Sequence, residues 1–345
     1  MENKPSIAIV ILNWNGASLL EEFLPSVVKH SQFPYTTIYV ADNASTDDSI
    51  KFLRDNYLNE IEIIQNDGNY GYAKGYNVAV KNLSEKYLIL LNSDVEVTEN
   101  WLVPIVNLME SDKSIGACQP KLLSYRNKNE FEYAGAGGGF IDKLGYPFCK
   151  GRIFDSFEND KGQYDEVADI FWASGAALVV RTSLFKTLNG FEEDFFAHME
   201  EIDLCWRIHR LGYKIKACPT SIVYHLGGGT LNKINPRKTY LNFRNNRLMI
   251  TKNIATKRFV SNLIIRDILD ITAGFQAIFY GKFRESLAIF KALFDFHIML
   301  PKWIKKRRAL KQTLPNTDEH DVLLYQKSIV FQYFIKKKKT FKELP

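Results

Sequence analysis

Over residues 1–120, short β-rich runs alternate with helical patterns, and this alternation narrows the fold more than any other feature of the chain. Runs at 6–12, 37–41, 61–65 and 87–91 predict strands, and 18–30, 47–56 and 72–83 predict helices. The segment 18–30 carries its apolar stripe at Leu19, Leu20, Phe23, Leu24 and Val27. Such alternation implies βαβ units and an α/β fold with a mainly parallel, Rossmann-like sheet. Ligands of open α/β sheets bind just beyond the carboxyl ends of the strands. Here those ends carry Asn13 and Asn15, Asp42 and Asn43, and Asn92, Ser93 and Asp94. A further acidic pair, Glu200-Glu201, opens a helix expected over 199–211.

The 345 residues suffice for one large or two ordinary domains. Four scattered cysteines (Cys118, Cys149, Cys205, Cys218) form no CxxC pair. A zinc site or disulfide framework is therefore not expected, and a reducing cytoplasm fits. The opening apolar run breaks at Asn13 and predicts a first strand, not a signal peptide. Charge divides the chain. Residues 1–255 hold 27 Lys and Arg against 31 Asp and Glu, a net of −4, whereas residues 256–345 hold 18 against 8, a net of +10. A basic tail points to an anionic partner.

The polar clusters admit plain structural readings as well as chemical ones. Ser45, Thr46 and Asp47 are capable helix caps, so Asp42-Asn43 can be a strand end running into a capped helix. Alternatively, two adjacent strand ends with hydrogen-bonding side chains grip a nucleobase. Residues 66–77 (NDGNYGYAKGYN) suit a tight turn, or a nucleotide wall built from backbone amides and a helix N-terminus. Asp94 is a turn residue or the carboxylate of a diphosphate-bound cation, with His225 as a second ligand. Glu200, Glu201 and Asp203 favour a helix start, and Asp203 can pair with Arg207. A buried carboxylate there also makes a competent general base.

Residues 121–170 lack periodicity, and the glycines at 134–139 predict a flexible turn instead of a phosphate loop. A buried strand is expected over 171–180, another near 214–217, then a Gly-rich loop through His225. Beyond 257, Phe, Ile and Leu recur at helical spacing, interleaved with Lys and Arg. No uncharged stretch approaches the roughly 20 residues of a spanning helix. These helices either pack on the preceding domain with a solvated basic face or lie on an anionic membrane.

In order along the chain, IVILNWNG, VADNASTDDS, NYGYAKGYN, LILLNSDVEV, SGAALVVR, GFEEDFFAHMEEIDLCWRIHRLGY and HLGGGT resemble glycosyltransferase family 2, in particular its bacterial rhamnosyltransferase-like members. The likeness spans roughly residues 5–250. It implies the GT-A fold over 1–255, with 256–345 as a basic amphipathic helical extension. It also implies a hexosyltransferase in which Asp42 contacts the donor base with Asn13, Asn15 and Asn43 nearby. Asn69, Lys74 and Asn77 then line the nucleotide pocket. Asn92, Ser93 and Asp94 stand at the DxD motif, whose last acid binds Mg²⁺ or Mn²⁺ with the diphosphate, and His225 matches a late His that reaches the metal. Glu201 is the expected base, with Glu200 its alternate. Arg244-Asn245 matches a further Arg-Asn element. Two departures stand out: Asn92 replaces the first acid of DxD, and Glu201 replaces Asp.

The implied reaction is an inverting transfer from a nucleotide-sugar, UDP- or dTDP-linked, to a hydroxyl of a saccharide or lipid-linked saccharide. It belongs to cell-surface polysaccharide synthesis at the inner face of the cytoplasmic membrane. A catalytically silent nucleotide-sugar-binding protein of the same fold is the alternative, made conceivable by Asn92. Neither a pyrophosphorylase nor an NAD-dependent dehydrogenase is supported, since residues 13–16 provide no phosphate loop and no GxGxxG. No nucleic-acid-binding motif accompanies the basic tail.

Overall fold

A computed structural model describes residues 5–227, 235–314 and 323–345. The first half of the chain forms strands β1 (Ile7–Asn13), β2 (Thr36–Asp42), β3 (Glu62–Gln65), β4 (Tyr87–Asn92), β5 (Val95–Val97) and β6 (Ile115–Ser124). Helices α1 (Ala17–His30), α2 (Ser49–Tyr57), α3 (Gly71–Ala79) and α4 (Leu102–Ser111) connect them. There follow β7 (Gly139–Ile141), β8 (Pro147–Cys149), β9 (Arg152–Ile153), β10 (Ser156–Phe157), β11 (Ala168–Asp169), β12 (Ala177–Arg181) and β13 (Lys214–His225). Helices α5 (Thr182–Thr187) and α6 (Glu200–Arg210) precede β13; α7 (Pro236–Asn253), α8 (Thr256–Phe279) and α9 (Phe283–Thr313) come after it.

Nine strands form the main sheet in the order β11-β13-β6-β12-β4-β1-β2-β3, with β5 added along β13. β1 is parallel to both β2 and β4, and β13 is parallel to β6. β12 runs antiparallel between β4 and β6. The carboxyl ends of β1, β2, β4, β6 and β13 consequently share one edge. Chain order reverses beside β1, whose neighbours are β2 on one side and β4 on the other, which is where open sheets hold ligands. Strands buried on both faces explain the unbroken apolar runs: Ile7–Val10 and Leu88–Leu91 have no solvent contact.

The middle region departs from the sequence expectations. Four short antiparallel strands, β7 to β10, form a second sheet. The glycines at 134–139 make a buried, packed turn, not a flexible one. Gly135 and Gly138 have φ of +111° and +123°, and a Cβ at Gly139 would stand 2.2 Å from the Trp172 ring. Only 177–181 of the expected 171–180 strand is extended in the sheet; ahead of it, Trp172 donates its backbone N–H to the Gly139 carbonyl at 3.2 Å. β13 continues past 217 to His225, so that residue ends a strand instead of lying in a loop. Residues 228–230 of the HLGGGT motif lie outside the described residues.

The helices after 255 share a core with the sheet. Phe296, Trp303 and Leu324 pack in the same apolar cluster as Leu248 and Phe195. The final segment returns to the small sheet, where Ile329 and Tyr333 cluster with Phe148 and Ile153.

Candidate active site

At the ends of β1 and β2, Asn13 and Asp42 are register partners. Asn13 Nδ2 donates to Asp42 Oδ1 at 3.0 Å, and Ser45 donates its backbone N–H to Asp42 Oδ2 at 2.8 Å and its hydroxyl to Asp42 Oδ1 at 2.5 Å. Asn15 Oδ1 accepts from the Thr46 N–H at 2.7 Å. Asn43 donates to the Gly71 carbonyl at 2.9 Å and accepts from Asn66 at 2.8 Å. Asp42 is thereby tied into a floor of amide and hydroxyl groups, with both carboxylate oxygens engaged. Asn13 Oδ1 is buried without a hydrogen-bond partner, facing Gly16, where a Cβ would stand 2.5 Å away.

The start of α3 differs from the sequence reading. Its amides are not open to a phosphate: Asn69 Oδ1 accepts from Gly71 at 3.0 Å, and the Phe196 carbonyl accepts from Tyr72 at 2.7 Å and Ala73 at 3.1 Å. Asn77 is likewise engaged, donating to the Phe191 carbonyl at 2.9 Å and accepting from the Phe191 N–H at 2.8 Å. Lys74 lies with its ammonium 4.1 Å from the Tyr70 ring centroid.

Asp94 follows β4, with half-buried Ser93 in the turn before it. Because β5 pairs with β13 so that Val95 faces His225, the preceding Asp94 meets the imidazole: Nε2 is 3.1 Å from Asp94 Oδ1 and 3.5 Å from Asn92 Nδ2. On the other side, His225 Nδ1 lies 3.2 Å from Glu132 Oε1. Burial works against charge on this ring, but Glu132 and Asp94 outweigh it and lift its pKa to about 10. Burial would raise the Glu132 pKa in turn; the His225 charge overrides it and holds the carboxyl below its ordinary range. Glu132 was missed in the sequence, where a lone acid amid Phe, Tyr and Gly (FEYAGAGGG) was its one signal.

Among the described residues no group of three or more His, Cys, Asp and Glu is arranged to hold a metal ion. The Asp94–His225 pair nevertheless fits one. A carboxylate oxygen and an imidazole nitrogen 3.1 Å apart can meet a common cation, whose other positions are open to water and phosphate. Glu132 behind the second ring nitrogen is the supporting carboxylate such a ligand commonly has.

Glu200 and Glu201 begin α6 after a strained turn. Phe196, His198 and Met199 have φ of +66°, +71° and +75°, values that side-chain-bearing residues seldom adopt. Asn245, fully buried on α7, holds this turn by donating to the carbonyls of Phe195 (2.9 Å), Ala197 (2.8 Å) and His198 (2.9 Å). Arg244 grips Asn245 Oδ1 from the other side at 2.8 and 2.9 Å. The Arg-Asn element thus positions the turn. Behind it, buried Asp203 bonds Arg207 (2.8 Å), Lys252 (2.9 Å) and Asn253 (2.7 Å). Burial opposes the Asp203 charge, but Lys252 and Arg207 hold its pKa down at about 2.

Each of the two glutamates has an Oε2 that is buried without a hydrogen-bond partner. Burial, together with the Glu201 charge, pushes the Glu200 pKa well up, and burial lifts Glu201 to about 7. Glu200 is 4% exposed, while Glu201 keeps more of its surface open. His198, beside them, is pushed down to about 4 by burial and Lys238.

Several groups connect these clusters. A Cβ on Gly175 would lie 3.7 Å from Glu201 Cβ; the Tyr72 hydroxyl donates to the Gly175 carbonyl at 2.6 Å, and the next carbonyl, of Ala176, accepts from the Asn92 N–H at 3.0 Å. Buried Tyr76 donates to the Leu91 carbonyl at 2.9 Å; burial raises its pKa, with Asp94 and Glu200 adding to the effect. Burial takes the Cys149 thiol to about 12, with Glu132 and Glu201 both contributing. Carboxylates from three segments therefore act on the same few groups. Like charges crowded in a poorly hydrated region perturb each other's protonation, and such regions are often sites of chemistry.

Residues 8–166 match the family model described as Glycosyl transferase family 2. The chain is 24% identical over 237 residues to the N-acetylglucosaminyl-diphospho-decaprenol L-rhamnosyltransferase of Mycobacterium tuberculosis, covering 64% of this chain and 75% of that one. Among solved structures, GalNAc-T7 with UDP, GalNAc and Mn²⁺ superposes with a TM-score of 0.56 at 19% identity, over 73% of this chain and 48% of that one. The chain thus spans about half the length of that neighbour. Staphylococcus aureus TarS 1–349 with UDP-GlcNAc gives 0.54 at 17% identity, over 89% and 87%. The fold is therefore that of the GT-A nucleotide-sugar transferases, an α/β sheet with a C-terminal helical region. Within that class, residues 8–166 carry the features of glycosyltransferase family 2, and the chain is similar to bacterial rhamnosyltransferases.

Proposed function

We propose that this protein is an inverting, divalent-metal-dependent glycosyltransferase. In this reading it moves a sugar from a UDP- or dTDP-sugar to a hydroxyl of a lipid-linked saccharide, in cell-surface polysaccharide synthesis at the inner face of the cytoplasmic membrane. Residues 1–255 carry the chemistry and 256–345 the membrane contact. One observation supports it above the others: two glutamates with raised pKa and unpartnered oxygens stand beside the segment that carries Asn92 and Asp94. GalNAc-T7, of the same fold, was solved with UDP and Mn²⁺, and the mycobacterial relative is named for a lipid-diphosphate-linked acceptor.

The donor base rests against Asn13, Asn15, Asp42 and Asn43, and the segment from Asn69 through Lys74 to Asn77 bounds the nucleotide. Asn92 and Ser93 face the diphosphate. Asp94 and His225 would hold Mg²⁺ or Mn²⁺, which would supply positive charge to the diphosphate of the donor. Glu201 takes the acceptor hydroxyl proton as that oxygen reaches the anomeric carbon from the face opposite the leaving group. Burial lifts Glu201 to about 7, while Glu200, the more buried acid, is pushed higher by burial and by the Glu201 charge and keeps its proton when Glu201 is ionised. Loss of metal-dependent donor turnover in Glu201→Gln, with nucleotide binding intact, is the expected result. Unchanged turnover would remove the proposed base.

A second reading, nucleotide-sugar binding without turnover, is favoured by Asn92 at the position of the first DxD acid. It predicts nucleotide-sugar binding by the native protein and no product with any donor and acceptor pair.

A further inference from the structure

Helix α8 has its polarity reversed. Its buried stripe is Asn262, Arg266, Asp270 and Gly274, spaced four residues apart. These polar side chains find partners inside the protein. Asn262 donates to the Lys143 carbonyl at 3.0 Å, Arg266 to the Leu144 carbonyl at 2.8 Å and Asn246 Oδ1 at 2.7 Å, and Asp270 accepts from Arg247 at 3.1 Å. The outward stripe is apolar: Val260, Ile264, Ile268, Ile271, Phe275 and Phe279 are all exposed. The turn into α9 continues it, with Phe279 88%, Tyr280 72% and Phe283 62% exposed, and α9 adds Leu287, Phe294 and Ile298. Water-facing helices carry the opposite pattern, and contiguous apolar surface of this extent marks an interaction face.

Charge identifies the partner. Lys257, Lys282, Arg284, Lys305 and Arg308 are exposed along the hairpin, whereas none of its acidic residues (Asp267, Asp270, Glu285, Asp295) is in the exposed class. A second copy of the chain meeting this face about a two-fold axis would set these cations against one another. Neither helix is long and apolar enough to cross a membrane.

We infer that the α8–α9 hairpin lies flat on a bilayer of anionic phospholipid, with the α8 stripe and the 279–283 turn sunk among the headgroups and the lysines and arginines on lipid phosphates. This rests on the membrane placement proposed above and names the surface that makes it. The same hairpin underpins the turn ahead of Glu200: the Trp303 ring stacks on Phe195 at 5.1 Å between centroids, and Lys306 bonds Glu192. A protein seated this way holds its acidic cluster at a fixed height above the lipid, where a lipid-linked hydroxyl can reach it.

The test is co-sedimentation of the full chain with vesicles of phosphatidylcholine alone and of equal parts phosphatidylcholine and phosphatidylglycerol. Native protein should bind the mixed vesicles and bind pure phosphatidylcholine weakly. The triple variant Ile264→Ser, Phe275→Ser, Phe279→Ser should lose binding to both by about ten-fold or more. Lys282→Glu with Arg284→Glu should lose binding to the mixed vesicles alone, by about ten-fold. All these positions are exposed, so thermal unfolding and nucleotide-sugar turnover on a soluble acceptor should not change. Native-like vesicle binding by the triple variant overturns the inference. So does a native dimer, seen by sedimentation equilibrium, that this variant converts to monomer. Loss of turnover in Glu201→Gln with vesicle binding intact leaves it standing, and absence of turnover in the native protein with vesicle binding intact sinks only the transferase reading.

Discussion

The Nε2 atom of His225 lies 3.1 Å from Oδ1 of Asp94, although 131 positions separate the two in the chain. Pairing of β5 with β13 creates that contact, and Glu132 closes the far side of the ring. Two strand ends and a Gly-rich turn thus build one buried acid–imidazole–acid row.

Glu132→Gln should weaken binding of Mn²⁺ in the presence of nucleoside diphosphate by about 10- to 100-fold, the usual cost of losing the carboxylate behind a histidine ligand. Thermal stabilisation of the protein titrated with metal reads this directly. Equal midpoints for variant and native protein would show that Glu132 does not support the ligand.

Glu201→Gln should lower kcat by about a hundred- to ten-thousand-fold while leaving nucleotide affinity unchanged. The pH profile follows from the raised pKa. A base must be ionised, so kcat should climb as pH rises through about 7 and level above it. Stability runs the other way. Glu201 binds its proton more tightly in the folded chain than at its ordinary value of 4.5, so its favourable contribution is complete below that pH and disappears as pH rises through about 7. Melting temperatures of native protein and Glu201→Gln should converge at low pH and separate above neutrality, the variant being more stable there. Parallel curves would contradict the buried, protonatable Glu201.

Asp203→Asn removes the charge that Arg207 and Lys252 share, leaving the buried Arg207 without a carboxylate and Lys252 with Glu192 alone. The expected loss is about 3–5 kcal/mol in unfolding free energy, measured by denaturant titration. Because its pKa is depressed, the native contribution is present above 3.8 and lost as pH falls through about 2, so the variant should flatten that acid limb. A loss below about 1 kcal/mol would mean that the cluster relaxes into solvent.

Asn245→Ala should cost about 1–3 kcal/mol in stability, since three carbonyls lose one donor group between them. It should also lower kcat more than it raises KM, because the turn it holds presents Glu200 and Glu201. Full activity in a folded Asn245→Ala protein would show that the turn keeps its shape unaided.

The parallel half of the sheet was legible because its strands are buried on both faces, so 87–91 reads as an apolar run that breaks where Asn92 reaches the edge. Helix boundaries fell within a few residues for the same reason: the apolar stripe of 18–30 matches the buried Leu20, Phe23, Leu24 and Val27 of α1. The small sheet was not legible, since strands of two or three residues show no period. Glu132 stayed hidden because its partner is distant in sequence, and no local pattern announces a carboxylate whose role comes from a histidine on another strand. The amides of α3 looked open for a similar reason. Their acceptor, the Phe196 carbonyl, belongs to a turn whose positive φ values fall on Phe, His and Met, where sequence offers no glycine as a sign. The stripe on α8 could be seen in sequence, but which face met solvent depended on polar partners such as Lys143 and Asn246 elsewhere in the chain.

That single carbonyl has a mechanical consequence. Phe196 O serves the first amides of α3 and stands four residues ahead of Glu200, so α3 and the helix bearing the acids are hinged on one peptide group. Neither can tilt without pulling the other. Under the proposed reading, a nucleotide that settles against α3 would act on the lever that aims the carboxylates, and donor-first, ordered loading is the expected kinetic behaviour.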